Sequence, residues 1–484
     1  MPFEIKIDKK NLEFLYVEHL TITKQFFDHN TCDFKVAINV SNIKPAQIFK
    51  WAGKNIAIYW YNSPFEKEKN CFFTGYIESL DLEFHHHIVY CKILAFTYTK
   101  KIDIEPQNKF FQDPNKTYLD IIKLLNIDEF VSIDPQLERV LSVPSNCLTL
   151  EYNITHWQFL LKIFKKLNQN IFIFDLDDTR EKSLIYSKIR NKKLDENLIF
   201  KRGKNSTFGS IEFTSTEIYE IGNKIEIAGN YFVVCKLNYV YKRGNLYGEY
   251  YLIDENKLGM LNPYEDNFMG FNVKAKVVDD KDPEQKGRIK IELINEQNIK
   301  IDDIYKGTYY FNFVTNYTSN DNGKNVGFFS IPEIGEIVNL YFPTNNENDA
   351  YINYVLREKS SDFLGDPSHK IWRNSKGREF RITDDNIIVS AKDETISLTL
   401  DDNQIILKKG DNSFIKIEDN KIEVKNNDTI IVIDNGNINI KGNSIKIDGN
   451  DITLNASNIK LNASGANIDM SSSVSVKGSS ITLN

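Results

Sequence analysis

The sequence predicts a mainly β protein in three stages. A barrel-like hub, interrupted by a small α+β insert, comes first. A second, small barrel follows, and a repetitive β shaft ends the chain. Three observations predict this. Most apolar runs alternate at a spacing of two, or are rich in β-branched and aromatic residues. Helical spacing with capping signals is confined to one interlude. Composition breaks near residue 370: every proline lies at or before Pro367, and every cysteine at or before Cys235. After Trp372 and Phe380 the only aromatic is Phe414. A segment so poor in aromatics cannot fill an ordinary globular core with large side chains.

The 484 residues carry 60 Lys+Arg against 67 Asp+Glu, a formal net charge of -7. Length alone suggests about two to four domains. Hydrophobic residues at 41% and charged residues at 26% exclude global disorder. The negative balance argues against a dedicated nucleic-acid binder. No run approaches the ~18 apolar residues of a membrane span. The start, MPFEIKIDKKNLEF, is not a signal peptide, so export by the general secretory route is not expected. Cys32, Cys71, Cys91, Cys147 and Cys235 are an odd count without C-x-x-C spacing, and read as reduced and mostly buried.

The first elements read as strands: 30–40, 54–61, 69–84 and 86–98. A helix is expected within 113–125, with Thr117 as N-cap and Asp120 three positions on. A clearer one starts at Thr155, where Thr155 and Gln158 match a capping box. Trp157, Leu160, Leu161, Phe164 and Leu167 then share one face. Strand resumes at 171–176, and 224–253 reads as two long antiparallel partners turning at Arg243-Gly244-Asn245. In 271–294 two strands flank a polar turn, with Ile289, Ile291 and Leu293 on one side and Arg288, Lys290 and Glu292 on the other. Val338, Leu340 and Phe342 alternate likewise. Many short strands in about 90 residues suggest a closed barrel of the OB type. The expected divisions are 1–100 and 191–262 for the hub, 101–190 for its insert, 263–357 for the OB-type barrel, 358–372 for a linker and 373–484 for the shaft.

From residue 415 apolar pairs recur at i and i+2: Ile415/Ile417, Ile422/Val424, Ile431/Ile433, Ile438/Ile440, Ile445/Ile447, Ile452/Leu454, Ile459/Leu461, Ile468/Met470, Val474/Val476 and Ile481/Leu483. From Ile431 to Ile459 the step is always seven. A coiled coil would space its partners three and four apart, not two. Gly436, Gly442, Gly449, Gly465 and Gly478 also disfavour helix. Spacing of two puts both side chains on one face of a short strand. The unit reads as strand, corner, strand, and it cannot bury its apolar face alone. One chain can coil into a parallel β-helix, or three can interleave into a triangular β-prism. In the prism, 373–484 gives a shaft of roughly 75 Å at about 4.8 Å per layer. The expected core is Ile438, Ile440, Ile445, Ile447, Ile452, Leu454, Ile459 and Leu461.

This order of parts resembles the VgrG family of contractile injection systems and the hub-and-spike proteins of contractile phage tails. GFFSIPEIGEIVNLYF resembles the family's OB motif, with Pro332, Glu333, Gly335 and Glu336 at its positions. VVDDKDPEQKGRIKI resembles the preceding turn and strand, NITHWQFLLKIFKKLNQNIFIF the hub helix and strand, and KIWRNSKGREFRITDD the start of the shaft. Where the family often has Trp at the OB start, this chain has Phe271 and Asn272.

The resemblance implies an intertwined homotrimeric β-prism, a β-helical needle that punctures a membrane. Implied partners are the tail-tube protein, baseplate proteins, a small PAAR-like tip protein and a non-covalent effector, with transient contact to a target membrane. Assembly would occur in the bacterial cytoplasm, followed by delivery through the machine. The final pair, Ile481 and Leu483 with Asn484, is expected to dock the tip protein. Because the repeat runs to Asn484, no covalent effector domain is expected. A tail fibre or adhesin stalk is the alternative, although a receptor-binding head after the repeat would be needed.

No catalytic, cofactor or metal residues are assigned. IFIFDLDDT (171–179) matches the first motif of haloacid dehalogenase-like phosphatases, with Asp175 as nucleophile and Asp177 as acid/base. The α/β domain that chemistry needs does not follow in the sequence, so a strand ending in a polar turn is expected. His85, His86 and His87 read as an exposed strand edge, since successive strand residues diverge. Arg288 and Lys290 read as a solvated face rather than a nucleic-acid surface, for want of interleaved aromatics. A lysozyme insert is not expected, and neither is a polysaccharide lyase on a single-chain β-helix.

Overall fold

The computed structural model describes residues 3–41, 43–61, 70–174, 181–194, 199–204, 210–242, 244–294, 302–304, 309–315, 318–321, 324–328, 330–355 and 367–470. It forms two compact units, Met1–Glu358 and Lys359–Asn484.

The hub is one 13-stranded, largely antiparallel sheet drawn from two stretches of sequence. Strands Tyr16–Gln25, Thr31–Asn39, Ile88–Phe96, Asn70–His85, Asn55–Trp60 and Phe3–Ile7 follow one another across it. The second stretch joins when Asn230–Lys242 pairs with Tyr16–Gln25, Leu237 opposite Lys24. The sheet curls until its distant strands touch: the Phe3 ring lies 4.7 Å from Tyr241 and Phe72 lies 4.9 Å from Tyr239. The long hairpin pairs Lys242 with Asn245 at its end, with Gly244 at a φ of 87°, a conformation open to glycine.

Both sequence-marked helices form with their caps. Thr117 and Asp120 make a reciprocal capping box on Tyr118–Lys123, and Thr155 and Gln158 do so on His156–Lys166. Trp157, Leu160, Leu161 and Phe164 are buried on the expected face. A further helix, Pro135–Leu141, is capped by Asp134 with Pro at its first turn. The Asp134-Pro135 pair is a helix-start signal in the sequence itself. The insert's strand Gln107–Phe111 pairs with Thr149–Ile154 on one side and with Asp302–Ile304 on the other, so the insert's sheet extends into the next domain.

That domain is a closed five-stranded barrel of Asn272–Asp279, Ile289–Leu293, Tyr310–Phe313, Tyr351–Val355 and Ile337–Tyr341. Ile289, Ile291, Leu293, Val338, Leu340 and Phe342 fill it, the alternating residues that the sequence marks as inward. Phe110, Leu148 and Leu150 from the insert join the same core.

The second unit holds a nine-stranded antiparallel meander from Lys370 to Lys441 and a hairpin of Ile459–Ala463 with Ala466–Met470. The sheet starts inside the stretch read as linker. The described shaft strands pair as hairpins, so a parallel single-chain coil is not what they form. Ile417 faces Ile422 across one turn and Val424 faces Ile431 across the next, so the pairs beginning at 415, 422, 431 and 438 step by seven, nine and seven as the chain reverses.

Candidate assembly interface

Pairing in the meander stacks its apolar residues into continuous ladders. Trp372 lies beside Phe380, Phe380 beside Val389, Val389 beside Leu398, and Leu398 beside Leu407. The ladder runs on through Ile415, Val424, Ile431 and Ile440. A second ladder holds Ile405, Ile417, Ile422, Ile433 and Ile438. Side chains two apart share a face, so both ladders lie on one side of the sheet. That side is open: Ile415, Ile417, Ile422, Val424, Ile431 and Ile433 are each between 37% and 40% exposed. Monomeric soluble proteins rarely show a contiguous apolar face of this extent.

Of the shaft-core residues named from the sequence, Ile438 and Ile440 lie on this face at 66% and 53% exposure. Ile445, Ile447, Ile452 and Leu454 are exposed in a stretch, 443–458, with no strand pairing. Ile459 and Leu461 lie on the final hairpin, opposite Met470 and Ile468. The proposed tip residues Ile481, Leu483 and Asn484 lie outside the described residues. So do Asp175 and Asp177 of the phosphatase-like motif; the strand before them, Phe172–Phe174, pairs antiparallel with Ser183–Tyr186. The spacing of two is plain in the sequence from 415 onward but not in the first strands of the face, where Ile371, Ile388 and Ile406 lie on the other side and blur the alternation.

In the barrel, Pro332, Glu333, Gly335 and Glu336 form a loop latched onto strand Asn272–Asp279. The Gly335 N–H donates to the Val277 carbonyl and the Val277 N–H to the Glu336 carbonyl, both at 2.9 Å. Gly335 takes a φ of 99°, and the Glu336 carboxylate accepts from the Glu333 N–H at 3.0 Å. Ile331 and Ile334 on this loop are 42% and 59% exposed.

Arg288 and Lys290 are more engaged than a solvated face would be. The Arg288 guanidinium forks onto Asp282 through Nε at 3.0 Å and Nη2 at 2.8 Å. Those bonds, with backbone N–H groups of the turn, hold the Asp282 carboxyl well below its ordinary range. The Tyr310 ring lies under both cations, 5.6 Å from the Arg288 guanidinium and 4.6 Å from the Lys290 amine. The aromatic sought on their own strand sits on the neighbouring one. The three histidines are a hairpin tip rather than a strand edge: His85 ends its strand, and His86, at a φ of 51°, and His87 make the turn. Among the described residues no group of three or more His, Cys, Asp or Glu is placed to hold a metal, and no helix is long and apolar enough to cross a membrane.

A buried charge cluster fastens the barrel to the insert helix. Glu347, 1% exposed, takes the amines of both Lys162 and Lys166 and accepts the Leu150 N–H at 3.1 Å. Burial opposes its charge, but the two lysines prevail and lower its carboxyl's proton affinity. Lys162 also donates to the Leu150 carbonyl at 2.8 Å and lies 4.8 Å over the Phe268 ring. The sequence reading missed this cluster. Its signal was a lysine inside an apolar helix stripe. Nearby, an open cleft of about 860 Å³ is lined by His29, Asp103, Trp157 and Tyr264. Its polar groups are tied to one another: His29 pairs with Asp103 at 3.0 Å and with Thr99 at 2.8 Å, and Thr155 donates to Asp103 at 2.6 Å.

Residues 273–356 match the family described as the type VI secretion system/phage-baseplate injector OB domain. No curated protein sequence matches the chain. Among solved structures, the chain is similar to a chain of the Francisella PdpA-VgrG complex, half-lidded form, with a TM-score of 0.55 at 12% identity over 91% of this chain and 88% of that one. The lidless form of a PdpA-VgrG complex gives 0.53 at 12% identity, over 91% and 98%. The E. coli c3393 protein gives 0.50 at 12% identity, over 73% and 99%; it is described as a component of the type VI secretion system with structural similarity to the T4 bacteriophage tail proteins gp27 and gp5. The matched OB domain and the shared fold support a structural role in a contractile injection system.

Proposed function

We propose, from the VgrG-type hub-and-spike fold that this chain has and the injector OB domain it carries, that it is the homotrimeric spike capping the inner tube of a contractile machine. The observation that carries the trimer is the open apolar face of the shaft sheet. Three copies set around an axis turn three such faces inward and bury them, at about 25 cal/mol for each Å² removed from water. Each chain supplies a whole prism face from Lys370 to Lys441. Below it, Ile445, Ile447, Ile452 and Leu454 keep the constant step of seven, and neighbouring chains supply the pairing that one chain lacks there. Ile459 and Leu461 continue the core.

A slim aliphatic core in a charged shell suits a puncturing rod. The hub and its insert meet the tail tube and baseplate. Ile481, Leu483 and Asn484 offer an apolar layer to a small PAAR-like tip protein. The partnership named in the Francisella PdpA-VgrG complex supports a non-covalent passenger here too. Assembly in the bacterial cytoplasm precedes delivery by the machine.

The test is the mass of the full-length chain in solution. A value near three times 56.2 kDa is expected, and a monomer that keeps the shaft folded overturns the reading.

A further inference from the structure

Successive strands of the shaft sheet end alternately in an acid and a base. Asp401 closes Ile396–Asp401, Lys409 closes Gln404–Lys409 and Glu418 closes Ser413–Glu418. Lys425 sits one residue before the end of Lys421–Asn426, Asp434 closes Thr429–Asp434 and Lys441 closes Asn437–Lys441. Consecutive strands run antiparallel, so alternation along the chain becomes segregation in space. The acidic ends all fall on one edge of the sheet and the basic ends on the other.

The turns sharpen the acidic edge, which adds Asp402 and Asp419. They moderate the basic edge with Asp411 and Asp428, while Lys408 adds to it. Lys421, the cation on the acidic edge, is taken up by Glu423 at 2.8 Å. Glu418 has Lys416 at 2.9 Å, and Asp401 caps the turn through the N–H groups of Asn403 and Gln404. Among the described residues, Lys408, Lys409, Lys425 and Lys441 make no ion pair, although Lys425 lies 5.7 Å over the Phe414 ring. Among the described residues Asp402, Asp419 and Asp434 on the acidic edge make no ion pair either, so each edge presents charges that the described part of the chain leaves without a counter-ion.

We propose that the basic edge of each shaft sheet docks against the acidic edge of a second copy of this chain, at the corners of the prism. The inference rests on the homotrimer reading and adds to it the direction and register of the three chains. A contact of left edge to right edge is heterologous and closes on itself under threefold rotation. It demands that all three chains point the same way. A two-fold pairing of antiparallel chains would set Lys425 against lysines and Glu418 against acids. The basic ends lie one strand away from the acidic ones, an offset of about 4.8 Å, which a flexible lysine stem spans. Exposed pairs are individually weak, so their effect here is to select one arrangement rather than to hold the trimer together. The apolar face drives association, and the edges decide which way and in which register it closes.

The experiment uses the full chain in four forms: unaltered, Lys409→Glu/Lys425→Glu/Lys441→Glu, Glu418→Lys/Asp434→Lys, and all five substitutions together. Molar mass by light scattering and the melting temperature of the trimer are read at low salt and at about 1 M salt, where screening reaches about 3 Å. Each single-edge reversal is expected to lower the low-salt melting temperature, with the loss vanishing at high salt. The combined form is expected to recover it. If the unaltered chain is a trimer and either reversal melts like it at low salt, or the combined form shows no recovery, edge pairing is wrong and the trimer stands. An unaltered chain that is monomeric overturns the trimer reading itself. Should a reversed chain fail to fold, Lys425→Gln/Lys441→Gln only deletes charge and must still melt lower at low salt than at high salt, relative to the unaltered chain; no difference refutes the pairing.

Discussion

Glu347 shows what one buried residue decides. Its carboxylate is shut away from water and compensated by Lys162 and Lys166, one turn apart on a helix of another domain. Removing one cation leaves a buried charge half compensated, which costs about 3 kcal/mol or more. Lys162→Met is therefore expected to lower thermal stability by that order, while Lys123→Met, on an exposed helix surface, stays within about 0.5 kcal/mol. Calorimetry of the two variants checks it. Asp103 carries a pH signature. Burial disfavours its charged form, but hydrogen bonds from His29, Thr155 and Lys100 outweigh that and bring its carboxyl down to about 2. The unfolded value is about 3.9, so its stabilisation is complete above that pH and is lost as pH falls toward 2. Glu347, also depressed, acts in the same direction. Asp103→Asn is expected to flatten the fall in stability between about pH 4 and pH 2, read from denaturation midpoints across that range.

At the scale of elements, facing rather than propensity sets the outcome. Ile431 and Val432 are adjacent β-branched residues of one strand, yet Ile431 stacks between Val424 and Ile440 while Val432 lies between Glu423 and Asn439. In a trimer Ile431→Asp places three charges around one axis, each costing several kcal/mol, and assembly is expected to fail. Val432→Lys, on the other face, is expected to leave the mass of the particle unchanged. Equal effects would mean that the facing is wrong. In the hub, Gly75 lies where strand Asn70–His85 meets Ile88–Phe96. A Cβ there would stand 2.1 Å from the Phe96 carbonyl oxygen. Gly75→Ala is expected to force the two strands apart and to cost about 1–3 kcal/mol, visible as a lower melting temperature.

The whole molecule joins a compact, aromatic-rich unit to one that leaves its apolar face open, and the two should respond differently to concentration. If the shaft closes only between copies, its melting temperature rises with protein concentration, because association favours the folded form. The core of the hub is complete within one chain, and its transition is expected to move less. Scanning calorimetry at two concentrations about a hundredfold apart separates them. A shaft transition independent of concentration would contradict closure by assembly.

The sequence by itself determined the pieces that rest on local physics. Capping boxes at Thr117 and Thr155, the inward alternation of Ile289, Ile291 and Leu293, and the one-faced pairs of the shaft follow from hydrogen bonds and spacings a few residues long. The motif around Pro332 and Gly335 located the barrel for the same reason. Only the tertiary structure decided the rest. Contacts such as Lys162 with Glu347, or Arg288 over Tyr310, join residues whose separation along the chain carries no period. The return of Asn230–Lys242 to Tyr16–Gln25 is likewise a long-range pairing. The shaft lies between the two cases. Spacing of two revealed its face, but only the reversal of each strand set Ile417 opposite Ile422 and Val424 opposite Ile431, and sorted its acids and bases onto opposite edges. Period is local, whereas direction is fixed by the turns that bring one strand back beside another.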